Sequence, residues 1–304
     1  MKEQVKKTKT IEEQLTSQKI AKAASKAGVY TFLGVMALLM IIPFYWMLAT
    51  SLKSLEEIMR STPTLFPESL RWSNYVDVFK EVDLGRYILN TLIVSGASTF
   101  IGTFLSIALA FALSRLNFKG REVIFMILLA TMMIPGEMMV LTNYITVSNF
   151  GWVNTGSGSK VAFGPYYAMV IPFLVSIFHV YLLRNTFKQI PNELYYAAKV
   201  DGTSDWKYLW KVMVPMAKSS IITIVILKLM GAWNSYVWPN LVAGGSEKLI
   251  TNGLRDAFTD AGTGMTQQHL QMAATVIVTL PLLLLFIFFR KYIMSGVSRS
   301  GIKG

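Results

Sequence analysis

Few ionisable residues fall inside the long apolar stretches of this chain, and they limit the chemistry open to it. They are Glu137, His179 and Lys228. Enzymatic chemistry within such stretches needs several acids, bases or metal ligands converging on one point, and this set is too sparse and too scattered for that. Cysteine is absent, which excludes disulfides, thiolate metal sites and thiol nucleophiles. With only His179 and His269, a multi-histidine metal site is not expected. Gly244-Gly245-Ser246-Glu247-Lys248 lacks the spacing of a Gly-x4-Gly-Lys-Ser/Thr phosphate loop, so the chain binds no ATP itself and no cofactor is expected on it.

A charge inside an apolar span is costly and marks a functional site by default. Lys228 is therefore either a cavity-facing counter-charge for an anionic or heavily hydroxylated solute, or half of a structural pair with Glu137 or with a residue of another subunit. Glu137 follows Pro135-Gly136, where a broken helix can line a path. The run Trp233-Asn234-Ser235-Tyr236-Val237-Trp238-Pro239 offers aromatic faces for sugar rings, with amide and hydroxyl groups for their OH groups. Interfacial aromatic belts also place Trp and Tyr at such positions, and Trp238 suits a belt or helix packing better than a ligand. Asn90, with Thr91 and Ser95, lines one side of the second span, where such residues join helices. His179 reads as a packing residue, and Arg184 as a side chain that snorkels to the headgroups.

The most structured polar segment is Pro191-Asn192-Glu193-Leu194-Tyr195-Tyr196-Ala197-Ala198-Lys199-Val200-Asp201-Gly202, which continues to Val214-Pro215. Pro191 is a helix start signal, and Glu193 complements the positive helix N-terminus. Leu194, Ala197, Ala198 and Asp201 share one face, small in its middle. Gly202 stops the helix in a left-handed conformation, and Thr203 or Ser204 caps a second helix over Asp205–Met213. Pro215 ends that helix. A helix–glycine–helix elbow with a small-residue stripe suits docking into a partner's groove.

The elements that position these groups follow from composition. Of the 304 residues, 53% are hydrophobic and 15% charged, against about 25% charged in a soluble domain, and mean hydropathy is +0.46. Stretches of roughly 20 apolar residues imply membrane-spanning helices, without the short alternating segments of a barrel. Six spans are predicted: 28–49, 87–113, 123–147 with Pro135, 166–183 with Pro172, 219–238, and 272–293 with Pro281, the prolines implying kinks. With the N-terminus inside, the inner segments hold 20 lysines and arginines and the outer ones 8. That asymmetry puts both termini in the cytoplasm. It also accounts for the net charge of +12 without nucleic acid. The chain divides into a basic cytoplasmic leader (1–27), amphipathic or partly disordered, then the first span and external loop (28–86), a core of five spans (87–293) carrying the elbow loop (188–217), and a tail (294–304).

The elbow resembles the signature loop of the type I ABC importer permeases: Glu-Ala-Ala, three residues, Gly, nine residues, Ile, one residue, Leu-Pro. Ala197, Ala198, Gly202 and Pro215 stand at matching places, and Asp201 matches the common Asp-Gly form. Tyr196 departs from the motif's Glu, while Glu193 matches a further upstream Glu. Met133-Ile134-Pro135, Leu182-Leu183-Arg184, the Trp233–Pro239 run and the tail Gly301-Ile302-Lys303-Gly304 resemble the carbohydrate branch, nearest the smaller permease of maltose-type oligosaccharide importers, from about Leu39 onward. The resemblance implies an all-α permease fold in a bacterial inner membrane. It implies a second homologous permease, two ATPase subunits that hydrolyse ATP, and an extracellular binding protein that delivers a carbohydrate. Glu193, Tyr196, Ala197, Ala198, Asp201, Gly202 and Pro215 would couple to the ATPase. Asn90, Glu137, Lys228, Trp233, Asn234 and Tyr236 are candidates for the solute path. A permease for a polyol phosphate or acidic sugar is the nearest alternative, and an ion-coupled secondary carrier is the rival of another class.

Overall fold

The computed structural model describes residues 2–156, 158–255, 257–258 and 266–298. The regular elements among them are helices. In order they are α1 (Lys2–Ser51), α2 (Leu55–Ile58), α3 (Asn74–Glu81), α4 (Leu84–Ser114), α5 (Arg121–Thr131), α6 (Val140–Asn149), α7 (Gly164–Val170), α8 (Ile177–Lys188), α9 (Asn192–Val200), α10 (Asp205–Tyr208), α11 (Val214–Met216), α12 (Lys218–Trp233), α13 (Val237–Val242), α14 (Ile250–Gly253) and α15 (Gln268–Ser298). A π-helical stretch, Leu209–Met213, joins α10 to α11.

Three segments are long and apolar enough to cross a bilayer unbroken: Ser25–Ser51 of α1, all of α4, and Gln268–Lys291 of α15. Three further passes are broken. Arg121–Thr131 meets Gly136–Asn149 at 87°, Gly164–Phe173 meets Ile177–Lys188 at 43°, and Asp205–Met216 meets Lys218–Trp233 at 84°. With each bent pair taken as one pass, the total is the six that hydropathy predicts.

Several expectations are corrected. Helix α1 runs without a break from Lys2 through the first span, so the basic leader is helical and continuous with it. Pro281 leaves α15 continuous, whereas the break at Pro135 is a near right angle rather than a kink. The fifth span stops at Trp233, so Trp238 belongs to the separate α13. Pro239 explains this: it has no N–H for the Ser235 carbonyl, and its ring is tolerated only in a first turn. Pro215 does not end the second helix of the elbow either. It lies inside α11, and the chain turns one residue after Met216. The tail motif 301–304 lies outside the described residues.

α4 is the central element, packed against both α8 and α12. Its buried face is built from small and hydroxyl residues, including Ser98, Thr99, Gly102, Thr103 and Ser106, which permit close helix approach where no hydrophobic effect drives association. One core lies at the elbow end, with Phe111, Leu183, Phe187, Tyr208, Met213 and Ile224. A second lies at the opposite end, with Val94, Met169, Trp238, Val242 and Leu249. Helix α1 lies along α15 and leaves most of its apolar residues exposed, as a lipid-facing helix does.

At Gly102 a Cβ would collide with the Leu174 carbonyl oxygen and approach Lys228 Nζ to 2.5 Å, whereas at Gly96 it would meet nothing within 4 Å. Gly102→Val should therefore lower stability by about 1–3 kcal/mol, and Gly96→Ala should be neutral. Thermal unfolding of the purified protein in detergent checks both.

Candidate functional site

The elbow forms because its turn is satisfied locally. Helix α9 ends on Gly202 at φ 70°. The Thr203 N–H donates to the Ala198 carbonyl at 2.8 Å and the Gly202 N–H to that of Lys199 at 3.1 Å. This is the paired closure that a left-handed residue after a helix permits. Of the two expected caps, Ser204 is the one used, its hydroxyl accepting from the Lys207 N–H. Across the turn, the Tyr195 hydroxyl donates to Asp205 Oδ1 at 2.7 Å, and Lys199 Nζ lies 2.8 Å from the same oxygen. Burial, with the neighbouring Asp205 carboxylate, pushes the Tyr195 phenol up. The hydrogen bond to Asp205 raises Lys199. The two helices of the elbow are thus pinned at a fixed angle by one shared carboxylate.

The elbow presents Glu193, Leu194, Ala197, Val200, Asp201 and Trp206 as exposed residues, with Tyr196 63% exposed. Tyr195 and Ala198 pack inward on the core at this end. Two connections tie the elbow to the helices. Arg115, following α4, donates to Asn192 Oδ1, to the Phe187 carbonyl at 2.5 Å, and to the Ile190 carbonyl. Trp206 and Trp210 meet at 5.6 Å and both pack on Phe104 of α4, at 6.0 and 5.9 Å. Sequence reasoning counted Arg115 only as a topology charge and did not single out Asn192, Trp206 or Trp210. An arginine at the end of a span carries no local sign of partners more than seventy residues away.

The candidates for the solute path separate. Asn90 is 2% exposed. It donates to the Ser246 and Lys248 carbonyls at 2.9 and 2.8 Å and accepts from Tyr166 at 2.7 Å, so it clamps the loop after α13. Lys228 is 8% exposed and donates to the Leu174 carbonyl at 3.0 Å, inside the break between α7 and α8. Glu137 is exposed, and no ion pair joins it to Lys228. Trp233 is buried, and Trp238 is buried with its indole N–H on the Ala168 carbonyl at 2.9 Å. Asn234 is exposed and also caps α12 through the Met230 carbonyl at 2.9 Å. Tyr236, half-buried, accepts from Arg255. Arg184 does not snorkel: it is buried, donates to the Leu113 carbonyl at 3.0 Å, pairs with Glu122 at 2.6 Å, and lies 3.8 Å above the Phe125 ring.

Comparison with known proteins places this geometry. A family model described as a binding-protein-dependent transport system inner membrane component matches residues 99–299. The chain is 28% identical over 288 residues to the diacetylchitobiose uptake system permease protein of Streptomyces coelicolor, covering 92% of each. It is 26% identical over 289 residues to the polygalacturonan/rhamnogalacturonan transport system permease protein of Bacillus subtilis, covering 91% of this chain and 97% of that one. In fold it matches a chain in the crystal structure of a bacterial ABC transporter involved in the import of the acidic polysaccharide alginate. The TM-score there is 0.75 at 23% identity, over 86% of this chain and 94% of that one.

If Asp205 pins the elbow, the double variant Tyr195→Phe/Asp205→Asn should loosen it. Loss of the Tyr195 hydrogen bond is worth about 1 kcal/mol, and the exposed ion pair to Lys199 adds little. Amide exchange over residues 198–207 should then rise about fivefold. Exchange in α4 should stay unchanged in the same hydrogen-exchange measurement.

Proposed function

This chain belongs to the family of binding-protein-dependent transport system inner membrane components, and we propose that it is one of two permease subunits of an ATP-driven importer of a carbohydrate solute. A second, homologous permease completes the path. Two ATPase subunits dock on the cytoplasmic face, and an extracellular binding protein delivers the solute. Both termini are cytoplasmic, in accord with the 20-to-8 distribution of basic residues.

The elbow carries this reading. It is rigid within itself, exposed on one side, and anchored on the other to α4 through Arg115 and the Phe104–Trp206–Trp210 cluster. At its far end it feeds through an 84° turn into α12. A push on its exposed face would therefore move α4 and α12 together, and these helices hold the interior. Ala197 and Ala198 leave room for close approach of a partner, and Tyr196 offers an aromatic face where the motif has a carboxylate. Glu193, Asp201 and Gly202 complete the docking helix and its turn. Pro215 lies just before the turn into α12.

Diacetylchitobiose and polygalacturonan/rhamnogalacturonan, the solutes in the relatives' names, support a saccharide here. Of the path candidates, Asn234 and Tyr236 retain accessible surface on the side away from the elbow, with amide and phenol groups suited to sugar hydroxyls. Trp233, Lys228 and Asn90 would act on the path by holding helices and loops in place, whereas Glu137 stands exposed after the break at Pro135. Lys228 is engaged with the Leu174 carbonyl and with no carboxylate, so its charge leaves an acidic saccharide as compatible with this path as a neutral one.

Gly202→Val places a β-branched residue in the left-handed region, which the elbow's turn does not tolerate. ATP-dependent uptake by vesicles carrying the full complex should fall at least tenfold, with membrane insertion retained. Uptake at the parental rate, or uptake that persists without ATP and follows an ion gradient, would remove the coupling role.

A further inference from the structure

The cleft beside the elbow is a site that the transport reading leaves without a task. It has a volume of about 530 Å³ and is lined by Arg115, Arg121, Lys188, Asn192, Tyr195 and Tyr196, among others. That volume is within the roughly 300–1,000 Å³ of small-molecule sites. We propose that this cleft binds a phosphate group, supplied by an anionic lipid headgroup or by a soluble phosphate.

Charge is the first argument. Arg115 is 7% exposed. Its Nη atoms donate to backbone carbonyls and to the Asn192 amide oxygen, its Nε is buried with no acceptor, and no carboxylate touches it among the described residues. A buried guanidinium held only by dipoles keeps an uncompensated charge, which proteins normally answer with an anion. The nearby carboxylate is Glu122, and it is shared: Arg121 lies at 3.3 Å, Lys188 at 3.8 Å and Arg184 at 2.6 Å. Three cations therefore share one carboxylate and Arg115 has none, so positive charge remains in the cleft.

Geometry is the second argument. The cleft opens between the ends of α4 and α8, the start of α5, and the first turn of α9. The α9 N-terminus brings backbone N–H groups and a positive dipole end to the same space. Arginine forks match phosphate oxygens in pairs, and Asn192 and Tyr196 add neutral donors. The ends of these spans lie at headgroup depth, where basic pockets between helices meet the anionic leaflet. That placement rests on the cytoplasmic assignment of the elbow. Because Arg115 is also the tie from α4 to Asn192, a phosphate seated here would stiffen the joint through which the elbow moves α4.

The test uses the full chain in nanodiscs and reads binding, so it is independent of ATP coupling. Thermal unfolding is followed in phosphatidylcholine alone, with phosphatidylglycerol added, and with inorganic phosphate against chloride at equal ionic strength. Arg121→Gln/Lys188→Gln is compared with Lys207→Gln/Lys211→Gln, which removes the same charge from exposed positions outside the cleft. The expected result is stabilisation of the parent and of the Lys207/Lys211 variant by phosphatidylglycerol or phosphate. Affinity in the Arg121/Lys188 variant should be about tenfold weaker for each charge-assisted hydrogen bond removed. A response to phosphatidylglycerol alone supports a headgroup, and an equal response to inorganic phosphate supports a soluble phosphate. No stabilisation of the parent, or equal weakening in both double variants, overturns the site. So does stabilisation that appears only with an added ATPase subunit and vanishes in the Arg121/Lys188 variant, because the occupant would then be an acidic protein side chain.

Discussion

A backbone carbonyl freed by a broken helix inside a bilayer has no water to bond, and an unmet polar group there costs several kcal/mol. This chain breaks three of its six passes, at 87°, 43° and 84°; a long polar side chain from another helix meets a freed carbonyl at the second break, and others do the same at helix ends and in a loop. Lys228 of α12 reaches the Leu174 carbonyl between α7 and α8. Arg184 of α8 reaches Leu113 at the end of α4. Arg115 covers the carbonyls of Phe187 and Ile190, where α8 gives way to the elbow. Asn90 holds the Ser246 and Lys248 carbonyls in the loop after α13. Each repair crosses from one helix to another, so closing a gap in one pass also fixes how two passes meet.

This constraint changes the meaning of the intramembrane polar residues. Read singly, a lysine or an asparagine inside a span suggests contact with a solute. In the folded chain Lys228 and Asn90 are occupied with carbonyls of other segments, and both contacts centre on α4 and its neighbours. Gly102 is part of the same arrangement, since only a residue without Cβ leaves room for Leu174 and Lys228 together. The elbow is fixed internally by Asp205 and Gly202 and tied to the spans by Arg115, by the Phe104–Trp206–Trp210 cluster and by the core around Tyr208 and Met213, so it and the spans it touches form one connected unit.

The elbow also shows where positive charge is left over. Glu122 answers Arg121, Arg184 and Lys188 at once, while Arg115 is met by carbonyls alone. A joint proposed to transmit force, and carrying unanswered charge, is a natural place for an anion to act.

The number of passes, their approximate ends and the helix–glycine–helix elbow were legible in the sequence, because they depend on local terms: apolar length, proline and glycine positions, caps and the placement of basic residues. The same local terms misjudged Pro281 and Pro135, since whether a proline bends a helix depends on what neighbouring helices offer its freed carbonyl. The partners of Lys228, Asn90, Arg115 and Arg184 lay 54 to 158 residues away, and no spacing rule reaches that far. What the sequence determined alone was where the chain crosses the membrane and where it turns. Only the tertiary structure decided which polar groups were already used by the backbone, because that depends on which helices come to lie side by side.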